Sequence, residues 1–334
     1  MSLASRFRIR LLTPTQLPAM STESVPKAVL YWFSGSVWAS VPRLTAVEKG
    51  FTENELETRF VDLVKGENFS PAYLKINDNG TVPSLVVPYA HTVDEGISTK
   101  FKALTDSQEI CTFLDQSTRS ASFSAPALSP ATIQNSQLSQ DIIARVHEQG
   151  VDPNALLLMW RNEDERKAKA GGLPATFLRG RQAALERYAK EADGQQNNAW
   201  LRDFYAKKIR ENGGTLALLE GHGDSAQIAG IEQKAKALWQ GVDDTLEYLE
   251  DQLDSKSPFL LGDQVSLADL HAGAWLARVL ACAGAESISE PDAALSALES
   301  NLASRKPIGP KTKRWAKALF ERKSFQEVYG DGLH

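Results

Sequence analysis

The chain has 334 residues, is 42% hydrophobic and 24% charged, and carries a net charge of −5. That is the balance of an ordinary globular protein long enough for two domains with separate cores. There is no basic field to hold a polyanion and no apolar run near the ~20 residues of a membrane span, so neither a nucleic acid nor a membrane is an expected partner. Two cysteines, Cys111 and Cys282, exclude a disulfide framework by number and read as small core residues. The five histidines (His91, His147, His222, His271, His334) show no metal-ligand spacing, so no metal is expected.

Residues 1–26 form a tail or targeting segment. Arg6, Arg8 and Arg10 stand among Ser and Thr with no acid before Glu23, a composition that suits a mitochondrial transit peptide. A disordered tail, or a true start at Met20, fits it as well.

Ala28-Val29-Leu30-Tyr31-Trp32-Phe33 is a continuous apolar run closed by Ser34-Gly35-Ser36, and predicts a strand buried on both faces. A helix with a glycine stop follows, ending at Glu48-Lys49-Gly50. Alternation within Leu56–Val64 predicts a second strand. Ser70-Pro71 predicts a short helix with a serine cap and proline at its first position. A turn cluster, Asn77-Asp78-Asn79-Gly80, then runs through Thr81-Val82-Pro83 into the strand Ser84-Leu85-Val86-Val87. Proline cannot donate to a sheet ladder and belongs at a strand's first residue or edge. X-Pro is also the bond for which cis geometry is cheap, and a cis entry leaves Val82's amide and carbonyl outward, ready to pair with an extended peptide. After a loop or hairpin through Lys102–Leu104, Asp106-Ser107 opens an apolar helix to about Gln116. The order is βαβαββα over residues 27–116.

Residues 117–140, rich in Ser, Ala, Pro and Gln, read as a linker. Beyond them strand signals vanish, and residues 141–334 predict an all-helical domain. The charge run Arg161–Lys169 reads as a solvated helix face. Ile228, Ile231, Ala235, Leu238, Val242, Leu246, Leu249 and Leu253 mark one face of a long amphipathic helix. Ser266 and Asp269 have capping-box spacing, with Val265 and Leu270 as a hydrophobic staple. The helix they open, to about Cys282, is apolar nearly all round and should be central to its bundle, which makes Asp269 a folding residue and not a catalyst.

Three motifs now stand in order: Asn77-x-x-Gly80-x-Val82-Pro83-x-Leu85, Asp106-Ser107-x-x-Ile110-x-x-Phe113-Leu114, and Leu261-Gly262-Asp263-x-x-Ser266-Leu267-Ala268-Asp269. Together they resemble the cytosolic glutathione transferase family over residues 28–116 and about 228–282. The resemblance implies a thioredoxin-like N-terminal domain followed by a helical C-terminal domain, glutathione as co-substrate, and a hydrophobic electrophile as second substrate. It implies that Val82, before Pro83, pairs with the cysteinyl part of glutathione, that the amide and hydroxyl of Ser107 bind the γ-glutamyl carboxylate at a helix N-terminus, and that Asp106 meets the γ-glutamyl ammonium.

The family activates the glutathione thiol with a Ser, Tyr or Cys at the end of the first strand, because the thiolate is the nucleophile. Counting back from Glu48-Lys49-Gly50 puts Ser36 at that position and Arg43 at the family's helix arginine. The stretch Phe33–Pro42 also resembles the bacterial β-etherase branch, whose polar residues lie near Trp38 to Ser40. Ser40 is therefore the alternative and Ser34 a third, while Tyr31 reads as core. The lack of Cys in this loop argues against an omega-type thiol transferase.

Three departures accompany the likeness. Thr81 replaces a Lys that many members place near the glycyl carboxylate. The Tyr89–Ala103 segment lengthens the connection before Asp106. Residues 145–225 exceed the usual helical domain, an enlargement seen in some fungal transferases, and would reshape the second-substrate pocket. The expected protein is a fungal-type or β-etherase-like transferase in detoxification, cytoplasmic or mitochondrial, and a homodimer. A non-catalytic binding or regulatory protein of the same fold, or a dedicated glutathione-dependent step in specialised metabolism, are the alternatives.

Overall fold

The computed structural model describes residues 27–88, 101–117, 125–193 and 199–334. The tail, Met20, His91 and most of the Tyr89–Ala103 connection lie outside the described residues.

The N-terminal part is built on four strands, β1 (Ala28–Trp32), β2 (Leu56–Phe60), β3 (Ser84–Pro88) and β4 (Phe101–Leu104), in the order β2-β1-β3-β4. β1 and β2 are parallel, joined through helix α1 (Val37–Glu48), whereas β3 runs antiparallel to both β1 and β4. A short helix α2 (Pro71–Leu74) precedes β3 and α3 (Ser107–Gln116) follows β4. This is a thioredoxin-like α/β domain, in the element order the sequence predicts.

Two local expectations change. β1 is not sealed on both faces: only Leu30 is fully buried, and Tyr31 and Trp32 are half-exposed. The sheet is four strands wide, so the aromatic rings at its open end pack on one another instead of under helices; Trp32 and Phe60 meet edge to face at 5.4 Å. β2 stops at Phe60, because the Asp62 carboxylate accepts the amides of Val64 and Lys65 and turns the chain. Pro42 lies inside α1, five residues after its start, and is buried there.

The remainder is helical. α4 (Ile133–His147) begins inside the Ser/Ala/Pro/Gln-rich stretch, capped by Thr132. Then come α5 (Pro153–Leu158), α6 (Glu163–Gly171), α7 (Leu173–Asp193), α8 (Ala199–Leu219), α9 (Ser225–Gln252), α10 (Leu267–Cys282), α11 (Pro291–Asn301), α12 (Pro310–Phe320) and α13 (Lys323–Tyr329). Every residue of α10 from Leu267 to Leu280 is buried. Its capping box is formed, and Asp269 accepts from the Leu260 amide, the Ser266 amide and hydroxyl, and Trp315 Nε1 of α12. Four donors on one buried carboxylate tie three segments together, which is the folding role its spacing implies. Among the described residues, no helix is long and apolar enough to cross a membrane.

The two parts share a core. Val37, Val41 and Leu44 of α1 belong to the same hydrophobic cluster as Trp275, Leu276 and Phe325 of α10 and α13. Glu48 of α1 accepts from Arg322 Nε at 2.7 Å and from Ser324 Oγ. The charge run Arg161–Lys169 does more than face solvent. Arg161 holds the carbonyl and side chain of Asn301, and Lys169 donates to the carbonyls of Leu156 and Met159. Its charges satisfy backbone oxygens freed at the ends of α5 and α11.

Candidate functional site

The turn before β3 is assembled from its own side chains. Asn77, buried, donates Nδ2 to the Thr81 carbonyl at 2.8 Å and to Ser84 Oγ at 3.1 Å, while its Oδ1 accepts the Asn79 amide. Tyr73 of α2 donates its hydroxyl to the same Thr81 carbonyl at 2.7 Å. Gly80 sits at φ +64, where a side chain would be strained, and a Cβ there would come 3.0 Å from Phe69. Asn77 and Gly80 are thus the residue types the turn requires. The Val82–Pro83 bond is cis. With Thr81's carbonyl turned inward, Val82's amide and carbonyl have no hydrogen-bond partner among the described residues.

The same domain carries two capped helix N-termini, those of α1 and α3. α1 starts two residues before Ala39, which packs in the same cluster as Val82. Ser36 is its N-cap, with Oγ accepting the Ala39 amide across 3.4 Å, a long bond. The hydroxyl proton of Ser36 has no acceptor among the described residues. The loop carrying Ser36 is anchored from the other domain, because Arg278 of α10 donates to the Gly35 carbonyl at 2.6 Å. Arg278 is 2% exposed, and burial lowers its pKa. Its one signal in the sequence was being an arginine on a helix with no polar face.

Ser40 points elsewhere. It is 1% exposed, donates to the Ser36 carbonyl and lies 3.4 Å from His334 Nε2, packed toward α13. Ser34 is exposed in the turn before α1. Arg43 lies over the Trp32 ring at 3.8 Å, and Tyr31 is half-buried against Tyr73, with its hydroxyl accepting from Arg59.

At α3, Asp106 is the N-cap, and one carboxylate oxygen accepts the amides of Gln108 and Glu109 at 2.9 Å each. Ser107 is the first helical residue and is buried. The other Asp106 oxygen has no protein partner among the described residues. Trp38, two residues after Ser36, stacks on His147 of α4 at 3.7 Å, and His147 Nε2 meets His271 Nδ1 at 3.0 Å. Burial pulls His147 down to about 4, against an opposing pull from Asp106. α3 packs on α1 through Cys111, which shares a cluster with Val37 and Val41.

The unpaired Val82 edge thus packs in one cluster with the first turn of α1, and α3 packs on α1 through Cys111. Residues 35–117 match the family model described as glutathione S-transferase, N-terminal domain, and residues 231–299 match that of the C-terminal domain. Both matches support the glutathione transferase family. Residues 118–230 fall between them, the interval that holds α4 to α8. Among solved structures of such proteins, the chain is similar to the β-etherase LigF from Sphingobium sp. strain SYK-6, at 19% identity and TM-score 0.53, covering 91% of this chain and 98% of that one. A glutathione S-transferase from Methylobacillus flagellatus KT, with GSH bound, matches at 16% identity and TM-score 0.46 over 90% and 98% of the two chains. At these identities the likeness to LigF speaks to the fold alone.

Proposed function

We propose that the chain is a catalytically active glutathione transferase. Glutathione lies along Val82-Pro83 with its cysteine paired to Val82. Its γ-glutamyl carboxylate meets the amide and hydroxyl of Ser107, where the partial positive charge of α3's start favours an anion. Its ammonium meets the uncommitted oxygen of Asp106. Ser36 donates its hydroxyl hydrogen bond to the thiolate, lowering the thiol pKa so that sulfur is ionised at neutral pH. The thiolate sulfur then attacks an electrophilic carbon of a hydrophobic substrate held against the helical domain, and the leaving group departs with its electron pair. Where the electrophile is an aryl ether, the aryl oxygen leaves and takes up a proton.

The single observation that supports this most is Val82, whose backbone donor and acceptor are both unpaired at a cis X-Pro strand entry. Retention on immobilised glutathione is the test. The wild-type chain is expected to bind and the Asp106→Ala/Ser107→Ala variant to wash through. A wild-type chain indifferent to millimolar glutathione sinks the reading. Ser36→Ala should keep binding, raise the pKa of the bound thiol by at least about one unit and cut turnover roughly a hundredfold, the scale of one lost donor to a developing or stabilised anion.

A binding protein without turnover is the second reading, and it is favoured by Ser36's use as an N-cap. Glutathione binding with no conjugation across a panel of electrophiles would select it. The fungal or β-etherase-like branch, the homodimer and the cytoplasmic location belong to the same proposal. Light scattering of the purified chain checks the dimer.

A further inference from the structure

We propose that Arg181, on α7 of the enlarged helical segment, is the cation that binds the glycyl carboxylate of glutathione, so that this segment completes the tripeptide site. The proposal rests on the glutathione reading above.

Direction follows from pairing. A peptide antiparallel to residues 81–83 and paired through its cysteine to Val82 carries its next residue back past Thr81 toward Gly80. The free carboxylate at that end needs a donor or a cation. Thr81 brings no charge, and the only charged residue within Asn77–Gly80 is Asp78, of the wrong sign. Gly80 lies against the Phe69 ring. On that ring, from the helical segment, sits the Arg181 guanidinium, 5.1 Å from the ring centroid and the same distance from that of Phe177.

Arg181 is otherwise unoccupied. It has no carboxylate and no hydrogen-bond partner among the described residues, and its Nε is buried without an acceptor. Burial alone lowers its pKa, with no acid opposing it. An arginine presents five N–H donors in a fork that matches a carboxylate, and two stacked rings hold the fork in place without using its donors. The placement is also enforced by the backbone. A Cβ at Gly180 would fall 2.3 Å from the Val64 carbonyl, so α7 lies directly on the chain leading to Phe69. Tyr205 of α8 donates to the Phe69 carbonyl at 2.8 Å, and Asn68 donates to the Gly80 carbonyl at 2.6 Å. One rigid train thus runs from α8 and α7 through Phe69 to the Val82 edge.

A purely structural stack of Arg181 between two rings would anchor α7 but would not sense the ligand's carboxylate. Calorimetric titration of the full chain with glutathione and with its glycyl monoethyl ester separates the two. The wild-type protein is expected to bind glutathione roughly 10- to 100-fold more tightly than the ester. Arg181→Gln should lower glutathione to the ester's affinity while leaving the ester unchanged, and Arg181→Lys should recover part of the difference. Equal binding of the two ligands by the wild type overturns the proposal, even if Arg181→Gln fails to fold. So does an equal loss for both ligands in Arg181→Gln, or a loss of discrimination when Lys75, the cation that ends α2, is changed to Gln with Arg181 intact. Absence of any glutathione binding by the wild type removes the glutathione reading itself, and this inference with it.

Discussion

Asn77 shows how one side chain prepares a surface for someone else's backbone. By occupying the Thr81 carbonyl, Ser84 Oγ and the Asn79 amide, it fixes the turn that leaves Val82 free. Asn77→Ala leaves two buried groups with fewer partners. It should cost about 1–3 kcal/mol of stability, read as a shift in the urea midpoint, and weaken glutathione binding out of proportion to its distance from the ligand. An unchanged affinity would remove the turn from the site's construction. The Asn77, Gly80 and Pro83 pattern was legible in sequence because each residue type has one physical reason to be there. The choice among Ser34, Ser36 and Ser40 was not. All three are serines within seven residues, and only the helix start, which turns Ser40 into the core and caps α1 with Ser36, distinguishes them.

At the scale of elements, α10 and α9 were readable from periodicity and caps, since a buried capped helix must be apolar on the faces it hides. The α7–α8 pair was readable only as extra helix. Its mean composition is polar, and what it covers, the Gly66–Phe69 turn of the other domain, is set by contacts more than a hundred residues apart in sequence. Gly180→Ala tests that docking. The new methyl would meet the Val64 carbonyl at 2.3 Å, a backbone atom that cannot swing aside. The variant is expected to lose about 1–3 kcal/mol and to melt earlier, with α7 lifted from Phe69. Gly214→Ala on α8, with open space around it, should lose nothing and serves as the control.

The whole molecule is one packed body among its described residues, because α1 contributes to the helical core and Glu48 joins α1 to α13. Glu48→Gln weakens a charge-assisted pair and a hydroxyl contact, and should cost about 2 kcal/mol. Unfolding should remain a single transition by fluorescence and by circular dichroism. Two separated transitions would mean that the interface adds little. Stability should also fall in acid. His147 is held near 4 and His271 well below its ordinary value, both by burial. Each therefore binds its proton more readily in the unfolded chain, so their contribution is full above about pH 6.5 and is lost as pH falls toward 4, at about 1–3 kcal/mol per pH unit for the pair. A His147→Phe/His271→Leu variant should show a shallower slope in that window, measured by denaturant titration at each pH.

The sequence by itself determined the βαβαββα order, the Val82–Pro83 edge, the capped helix at Asp106 and the buried box at Ser266 and Asp269. These depend on residues within a few positions of one another, where backbone geometry and hydrogen bonding leave little choice. Only the tertiary structure decided that Ser36 caps α1 while Ser40 is buried, that Arg278 pins the carbonyl of Gly35, and that Arg181 stands over Phe69. Those placements join residues far apart in the chain, and packing, which no local pattern records, brings them together.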